Sequence, residues 1–435
     1  MATETKTPVG SAPTLAPQVG GRPTSQVNLK VATIAWLVAA IFYFFQYVLR
    51  SAPSVMLPQM STAFGVSAVG MAGIIGLFYY GYSAFSLIAG AGMDWLGPRK
   101  VVPIGAAIAG LGALLFATGH GTAGSMGRLL QGAGGVFAPV GAIYIASQYF
   151  PPSQAATLVG ATQMFGMAGG AAGQVIVGPW IAKGLAWDTF WTGLGSALLI
   201  MAMLLFVLLP KASPVETKHT GPAMIRSFYL VFKNPQSILC GLIAGLLFIP
   251  TTIFDMIWGV RYLQEAHGFD YGSAVMRTSM VPLGWIIGCP LLGFLSDQLG
   301  RRKPVIIAAA AVLMICLTFI LFGASNGLPP YVLGLVAGIA SGAAMLPYTV
   351  IKEANPPQFG GIATGVVNFI NFTFSALLGP IFGWLLHRLS GDAEVMQNEH
   401  YQFAFAPLLL GVAIAIVLTF FLRETGSAAH SKLSV

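Results

Sequence analysis

Long apolar runs separated by short polar breaks organise this chain. A bilayer's hydrocarbon core is ~30 Å thick, and an α-helix rising 1.5 Å per residue crosses it in about 20 residues. Runs of roughly that length fall at about 31–58, 69–91, 101–119, 123–149, 155–182, 188–210, 236–262, 274–296, 304–324, 329–351, 361–387 and 401–422. Each predicts a helix, because lipid offers no partner to an unpaired backbone group, and the alternating strands of a membrane barrel are absent. The polar, basic stretch 211–235 divides the twelve spans six and six. The expected fold is an all-α membrane protein with twelve transmembrane helices in two pseudo-symmetric six-helix bundles, 31–210 and 236–422. Residues 1–30 and 423–435 read as cytoplasmic tails; the first, rich in Thr, Pro, Gly and Ser, has no helical or strand period and reads as disordered.

Composition agrees with that reading. With 56% hydrophobic and 8% charged residues, too little polar surface exists to cover a water-soluble globule. A net charge of +8 in a soluble protein would suggest nucleic acid. Here the bases sit in short breaks between spans, where they orient a chain in a bilayer, so no nucleic-acid partner is expected and the lipid bilayer is. With the amino terminus cytoplasmic, 15 of the 21 lysines and arginines fall on the cytoplasmic side, which places both termini inside, in a bacterial cytoplasmic membrane. Cys240, Cys289 and Cys316 lie in apolar runs with no CxxC pair, so neither a disulfide nor a metal site is expected. No Walker-type loop is present, no cofactor is expected, and the histidines fall in breaks or near helix ends, which argues against an enzyme.

The two halves repeat. Gly90, Asp94, Gly97, Arg99 and Lys100 between the second and third spans recur as Gly293, Asp297, Gly300, Arg302 and Lys303 between the eighth and ninth, an offset of 203. Pro151, Pro152 and Gly160 recur as Pro356, Pro357 and Gly365, an offset of 205. Two matches at nearly equal spacing indicate a duplicated six-helix unit. Gly160, Gly166, Gly169, Gly170 and Gly173 predict close packing of the fifth helix against a neighbour.

The doubled GxxxDxxGxR/K loop, with Arg128, Gln131, Gly132, Gly134 and Gly135 opening the fourth helix, resembles the major facilitator superfamily over about residues 31–422. That resemblance implies alternating access, with a cytoplasmic gate latch of Asp94, Arg99, Asp297 and Arg301 between opposite bundles, and gives Arg128 a place in a motif linked with proton transfer. In its first helix, Tyr47 to Pro58, the chain is similar to the organophosphate:phosphate antiporters and their anion:cation symporter relatives, which implies an anion-binding role for Arg50. Their second substrate arginine, on the seventh helix, has no equivalent between Phe248 and Trp258.

Charges inside spans are costly, about 2.5–3.5 kcal/mol on insertion scales, and face a partner or a wet cavity. Arg50 and Asp255 are two such groups, and 255 − 50 = 205, the repeat offset, puts them at equivalent places in the two halves. Around Arg50, Tyr43, Gln46 and Tyr47 stand at helical spacing; Trp258 flanks Asp255; Asn368 and Asn371 share a face of the eleventh helix; Tyr80 and Gln163 come from the second and fifth. Convergent amides, phenols and one charge pair describe a site for a small polar solute. The expectation is a secondary transporter, a symporter acting as a monomer, for an organic anion or zwitterion such as a carboxylate, amino acid or peptide. In it Arg50 holds the anion, Asp255 pairs with Arg50 when the site is empty, and Asp255 takes up a coupling proton. Siderophore or drug efflux, which needs a broad apolar cavity, and a transporter-like receptor without net flux are the competing readings. A snorkelling Arg50 at the headgroups is the structural alternative.

Overall fold

The computed structural model describes residues 28–210, 221–323, 331–356, 359–391 and 395–426. Much of the expected tail 1–30, part of the connector 211–235 and most of the tail 423–435 lie outside them. Every regular element among the described residues is helical. Eleven are long and apolar enough to cross a membrane: α1 Leu29–Val55, α2 Ala68–Met93, α3 Pro98–Ala117, α4 Gly121–Tyr149, α6 Trp187–Leu208, α7 Pro235–His267, α8 Tyr271–Gln298, α9 Lys303–Phe322, α10 Val332–Glu353, α11 Gly360–Ser390 and α12 Asn398–Phe421. The remaining position is α5, Pro152–Val175, whose glycines and glutamines dilute its hydropathy. Lipid-facing residues such as Ile104, Ile200, Met203, Phe294, Ile315 and Phe420 stay more than half exposed, a surface that only acyl chains cover favourably.

Local sequence sets where helices start and bend. Asn28, Asn234 and Asp270 accept backbone N–H groups at the starts of α1, α7 and α8. Pro53 tightens the end of α1 into a 3₁₀ turn, Ala52–Val55, and a short helix, Leu57–Phe64, follows. In α7, Pro250 opens a π-helical stretch, Pro250–Trp258, that carries Asp255. The connector contains a helix, Gly221–Lys233, packed against α11.

Within each half the helices approach to backbone contact. A Cβ on Gly81 of α2 would lie 2.1 Å from the Leu129 carbonyl of α4, and one on Gly132 would lie 1.9 Å from that of Phe78. The same crossing recurs between α8 and α10, where a Cβ on Gly284 would lie 2.3 Å from the Leu335 carbonyl and one on Gly338 would lie 2.1 Å from that of Val281. Since 284 − 81 = 203, the repeat is carried into packing. The fifth-helix glycines behave as expected at Gly166, Gly169 and Gly173, where α5 meets Tyr43, Phe44 and Ser51 of α1, whereas Gly160 has open space. The halves meet along α2 with α11 and α5 with α8.

Arg128 is 1% exposed, inside the amino-terminal half. Pro53 has no N–H for the Leu49 carbonyl four residues back, and Arg128 Nη1 donates to that carbonyl at 3.0 Å and to Gln131 at 2.5 Å. Its Nε and Nη2 donate to the Ile75 carbonyl of α2. The side chain that the resemblance links with proton transfer is here a clamp joining α1, α2 and α4. Arg128→Ala leaves these acceptors unmatched and empties a buried volume, so it is expected to lower stability by on the order of 3 kcal/mol. An unchanged thermal unfolding curve in detergent would remove the clamp.

Candidate functional site

A cavity of about 350 Å³ lies between the two halves, its lining drawn from α1, α2, α4, α5, α7, α10 and α11. Its deep end is formed by Tyr43, Tyr47, Tyr82, Phe248 and Phe372, all buried. Exposed Ser147 and Lys352 and the start of α11 line its other end, on the side of the molecule where the connector lies. The opposite end is held shut across the halves: Tyr79 Oη donates to the Thr252 carbonyl at 3.1 Å, and Tyr271 Oη to that of Val55 at 2.6 Å.

Arg50 stands behind the deep wall, 1% exposed. Its guanidinium carbon lies 4.4 Å from the Tyr47 ring centre, 4.9 Å from Phe372, 5.0 Å from Tyr82, 5.3 Å from Phe78 and 5.9 Å from Tyr79. Three of those rings, Tyr47, Tyr82 and Phe372, also line the cavity. None of its three nitrogens has a hydrogen-bond partner among the described residues. Ring faces replace part of the lost hydration, at about 0.5–2 kcal/mol per contact, but satisfy no N–H. Burial also rules out snorkelling.

Nearby amides and phenols are already engaged. Tyr43 Oη donates to Gln163 at 2.9 Å, and the Gln163 amide reaches the Met345 sulfur at 3.4 Å, bridging the halves. Tyr348 Oη donates to Asn368 at 2.6 Å and accepts from Asn371 at 3.0 Å. Among the described residues, Lys352 is the one charged side chain in the lining, and no acid lines it. Tyr348 and Lys352 were missed by sequence reasoning: the lysine, at a span's end, looked like a topology signal. A phenol at i−4 from it was the available clue.

Several expectations need correction. Tyr80, 38% exposed, lies outside the lining; at 100° per residue Tyr79 and Tyr82 share a face and Tyr80 faces away. Trp258 is 1% exposed and packed in the π-helical stretch, outside the cavity. Gln46 is fully buried against Gly135 of α4, and Asn371 reaches the lining only through Tyr348. Asp255 forms no ion pair with Arg50, since the described ion pairs are Arg261–Glu265, Arg302–Asp297 and Arg302–Glu353. It opens instead onto a separate cavity inside the carboxy-terminal half. Helical register made the two charges equivalent in sequence, but the π-helical turn re-aims the carboxylate.

The loop charges are also rearranged. Arg302, rather than the exposed Arg301, bonds Asp297 and, at 2.8 Å, Glu353. Glu353 also accepts from Thr425 at 2.5 Å, while Glu424 accepts the Arg302 backbone N–H at 2.6 Å. This network ties the ends of α8, α9, α10 and α12 within one half, not across two. Partial burial opposes the Arg302 charge, yet Glu353 and Asp297 outweigh it and hold the guanidinium above its ordinary range. Arg99 stacks on Phe206 of α6, and the Asp94 side chain lies outside the described residues.

Two six-helix halves around a polar cavity, sealed at one end, are the architecture of a membrane carrier. The chain belongs to the Major Facilitator Superfamily, whose profile matches residues 39–380. It is 27% identical to the hexuronate transporter of Bacillus subtilis (strain 168) over 381 residues, 82% of this chain and 87% of the relative. It is 23% identical to the probable sulfoacetate transporter SauU of Cupriavidus necator over 379 residues, 81% and 86% of the two chains. Its fold matches a bacterial homologue of the human lysosomal transporter Spinster, in an inward-facing and unoccupied conformation, with TM-score 0.70, 15% identity, and 91% and 98% of the chains covered.

Proposed function

We propose that this transporter moves a small organic anion, a carboxylate or sulfonate, across a bacterial cytoplasmic membrane by alternating access, with the central cavity as substrate site. One observation carries the reading: the Arg50 guanidinium, buried behind three cavity-lining rings with its N–H groups unsatisfied. An oxyanion with two oxygens side by side is the partner such a fork accepts, by two parallel charge-assisted bonds once Tyr47, Tyr82 or Phe372 turns aside. Lys352 at the open end and the absence of acids among the described lining residues add the same charge preference. Tyr348, Asn368 and Gln163 offer hydrogen bonds to a substrate's hydroxyls. The relatives named for hexuronate and sulfoacetate fit the same chemistry. An efflux pump's apolar chamber does not match this tyrosine- and amide-lined space.

With the base-rich connector end cytoplasmic, this is the inward-facing state, and the contacts of Tyr79 and Tyr271 form the closed outer gate. Purified protein in vesicles preloaded with uronate or sulfoacetate is expected to accumulate the labelled anion by counterflow, at least tenfold faster than a neutral hexose. Equal rates for anion and hexose would defeat the proposal. Proton coupling is part of it: in vesicles without preloaded substrate, collapsing an imposed pH gradient is expected to abolish uphill uptake, and uptake that survives would remove protons.

A further inference from the structure

The cavity onto which Asp255 opens shares no lining residue with the central one. It holds about 240 Å³, enclosed by α7, α8, α9 and α10, and reaches toward the end opposite the connector at His267, Phe269 and Gly323. Asp255 is 5% exposed, and its Oδ2 has no hydrogen-bond partner among the described residues. Gly259 keeps the space beside it open, because a Cβ there would stand 3.6 Å from Asp255 Oδ1 and 2.8 Å from the Thr278 methyl. Three of the other polar groups in the lining are committed, and so is Tyr262. Thr251 accepts from Trp285 at 3.0 Å, Thr278 donates to backbone carbonyls, and His267 and Tyr262 bond each other at 2.8 Å. Arg277, at the rim, stacks on Phe269 at 3.8 Å.

Most of the remaining wall is hydrocarbon: Leu263, Val281, Leu313, Leu317, Ile320 and Leu333. A buried carboxylate at the base of an apolar chamber wants one positive charge with an apolar body behind it. A bare metal ion needs oxygen on every side, and much of its surroundings here would be carbon. A drug-sized or lipid molecule is too large, since such pockets run to ~300–1,000 Å³. We propose that this chamber is a second binding site, for a small apolar amine whose ammonium bonds Asp255 and whose aryl or alkyl part fills the leucine wall.

The test uses the purified full chain in detergent. Thermal unfolding is followed with 2-phenylethylammonium chloride, with 2-phenylethanol at the same concentration, and with matched sodium chloride. A ligand of the native state raises the midpoint. The amine is expected to raise it by several degrees, and the alcohol and the salt not to. Asp255→Asn and the cavity-filling Leu317→Trp are each expected to erase the amine's shift while keeping the unliganded midpoint of the parent protein. If either variant unfolds early, Thr278→Val, beside the carboxylate, serves in its place and is expected to weaken the shift. Equal shifts from amine and alcohol, a shift that persists in Asp255→Asn, or a shift given by sodium ion alone would each overturn the assignment.

Discussion

Arg50→Leu is expected to cut anion counterflow by about thirtyfold or more without lowering thermal stability. A desolvated charge-assisted pair lost from one side costs about 2–5 kcal/mol, and each 1.4 kcal/mol is tenfold in affinity. The stability sign follows from the unpaired nitrogens. Burying a guanidinium without hydrogen bonds costs several kcal/mol, which contacts with five rings offset only in part, so leucine in that aromatic setting is neutral or stabilising. Arg50→Lys keeps the charge but loses the planar fork and its stacking, and an intermediate loss of roughly tenfold follows. Counterflow in labelled vesicles and unfolding in detergent read the two effects separately. Undiminished flux in the leucine variant would take Arg50 out of the substrate site.

Gly132→Val is expected to yield no monodisperse protein. Its Cβ would fall 1.9 Å from the Phe78 carbonyl oxygen and 2.8 Å from the Tyr82 nitrogen, both backbone atoms that cannot rotate aside. The α2–α4 axes would have to part by more than ~1 Å, undoing a close-packed interface, and over-packing of this kind exceeds the usual ~1–3 kcal/mol. Gly338, at the matching crossing of α8 and α10, is expected to behave alike. Gly193→Ala, with nothing within 4 Å, is the control and is expected to be silent. Size-exclusion profiles after identical extraction provide the comparison, and a normal peak for Gly132→Val would mean that α2 and α4 cross more loosely than a 1.9 Å approach allows.

The corrections share one cause. A sequence fixes how far apart residues lie on a helix, but not which neighbour a helix turns them toward. Tyr79, Tyr80 and Tyr82 are alike in sequence, and only the rotation of α2 separates two cage residues from one on the outer surface. Trp258 and Asp255 were misplaced because periodicity assumes 3.6 residues per turn, which the π-helical stretch breaks. Arg301 and Arg302 are adjacent bases, and the turn at Gly300 decides which one meets Asp297. For Arg128 a clue did exist: Pro53 strips the Leu49 carbonyl of its donor, so a polar group had to come from elsewhere.

By itself the sequence determined the solvent, the spans, the six-plus-six division and the duplication, along with the placing of one cation inside the bilayer on α1. These follow from transfer free energies and from backbone hydrogen bonding in lipid, which depend on composition along the chain and on nothing distant. Tertiary structure alone decided that Arg50 stands behind the central cavity while Asp255 opens onto a separate one, that aromatic rings rather than a carboxylate surround the guanidinium, and that the charges around Arg302 close within one half. Each of those outcomes depends on helix rotation and tilt. Packing between glycine-lined faces sets those angles, and no local stretch of sequence records them.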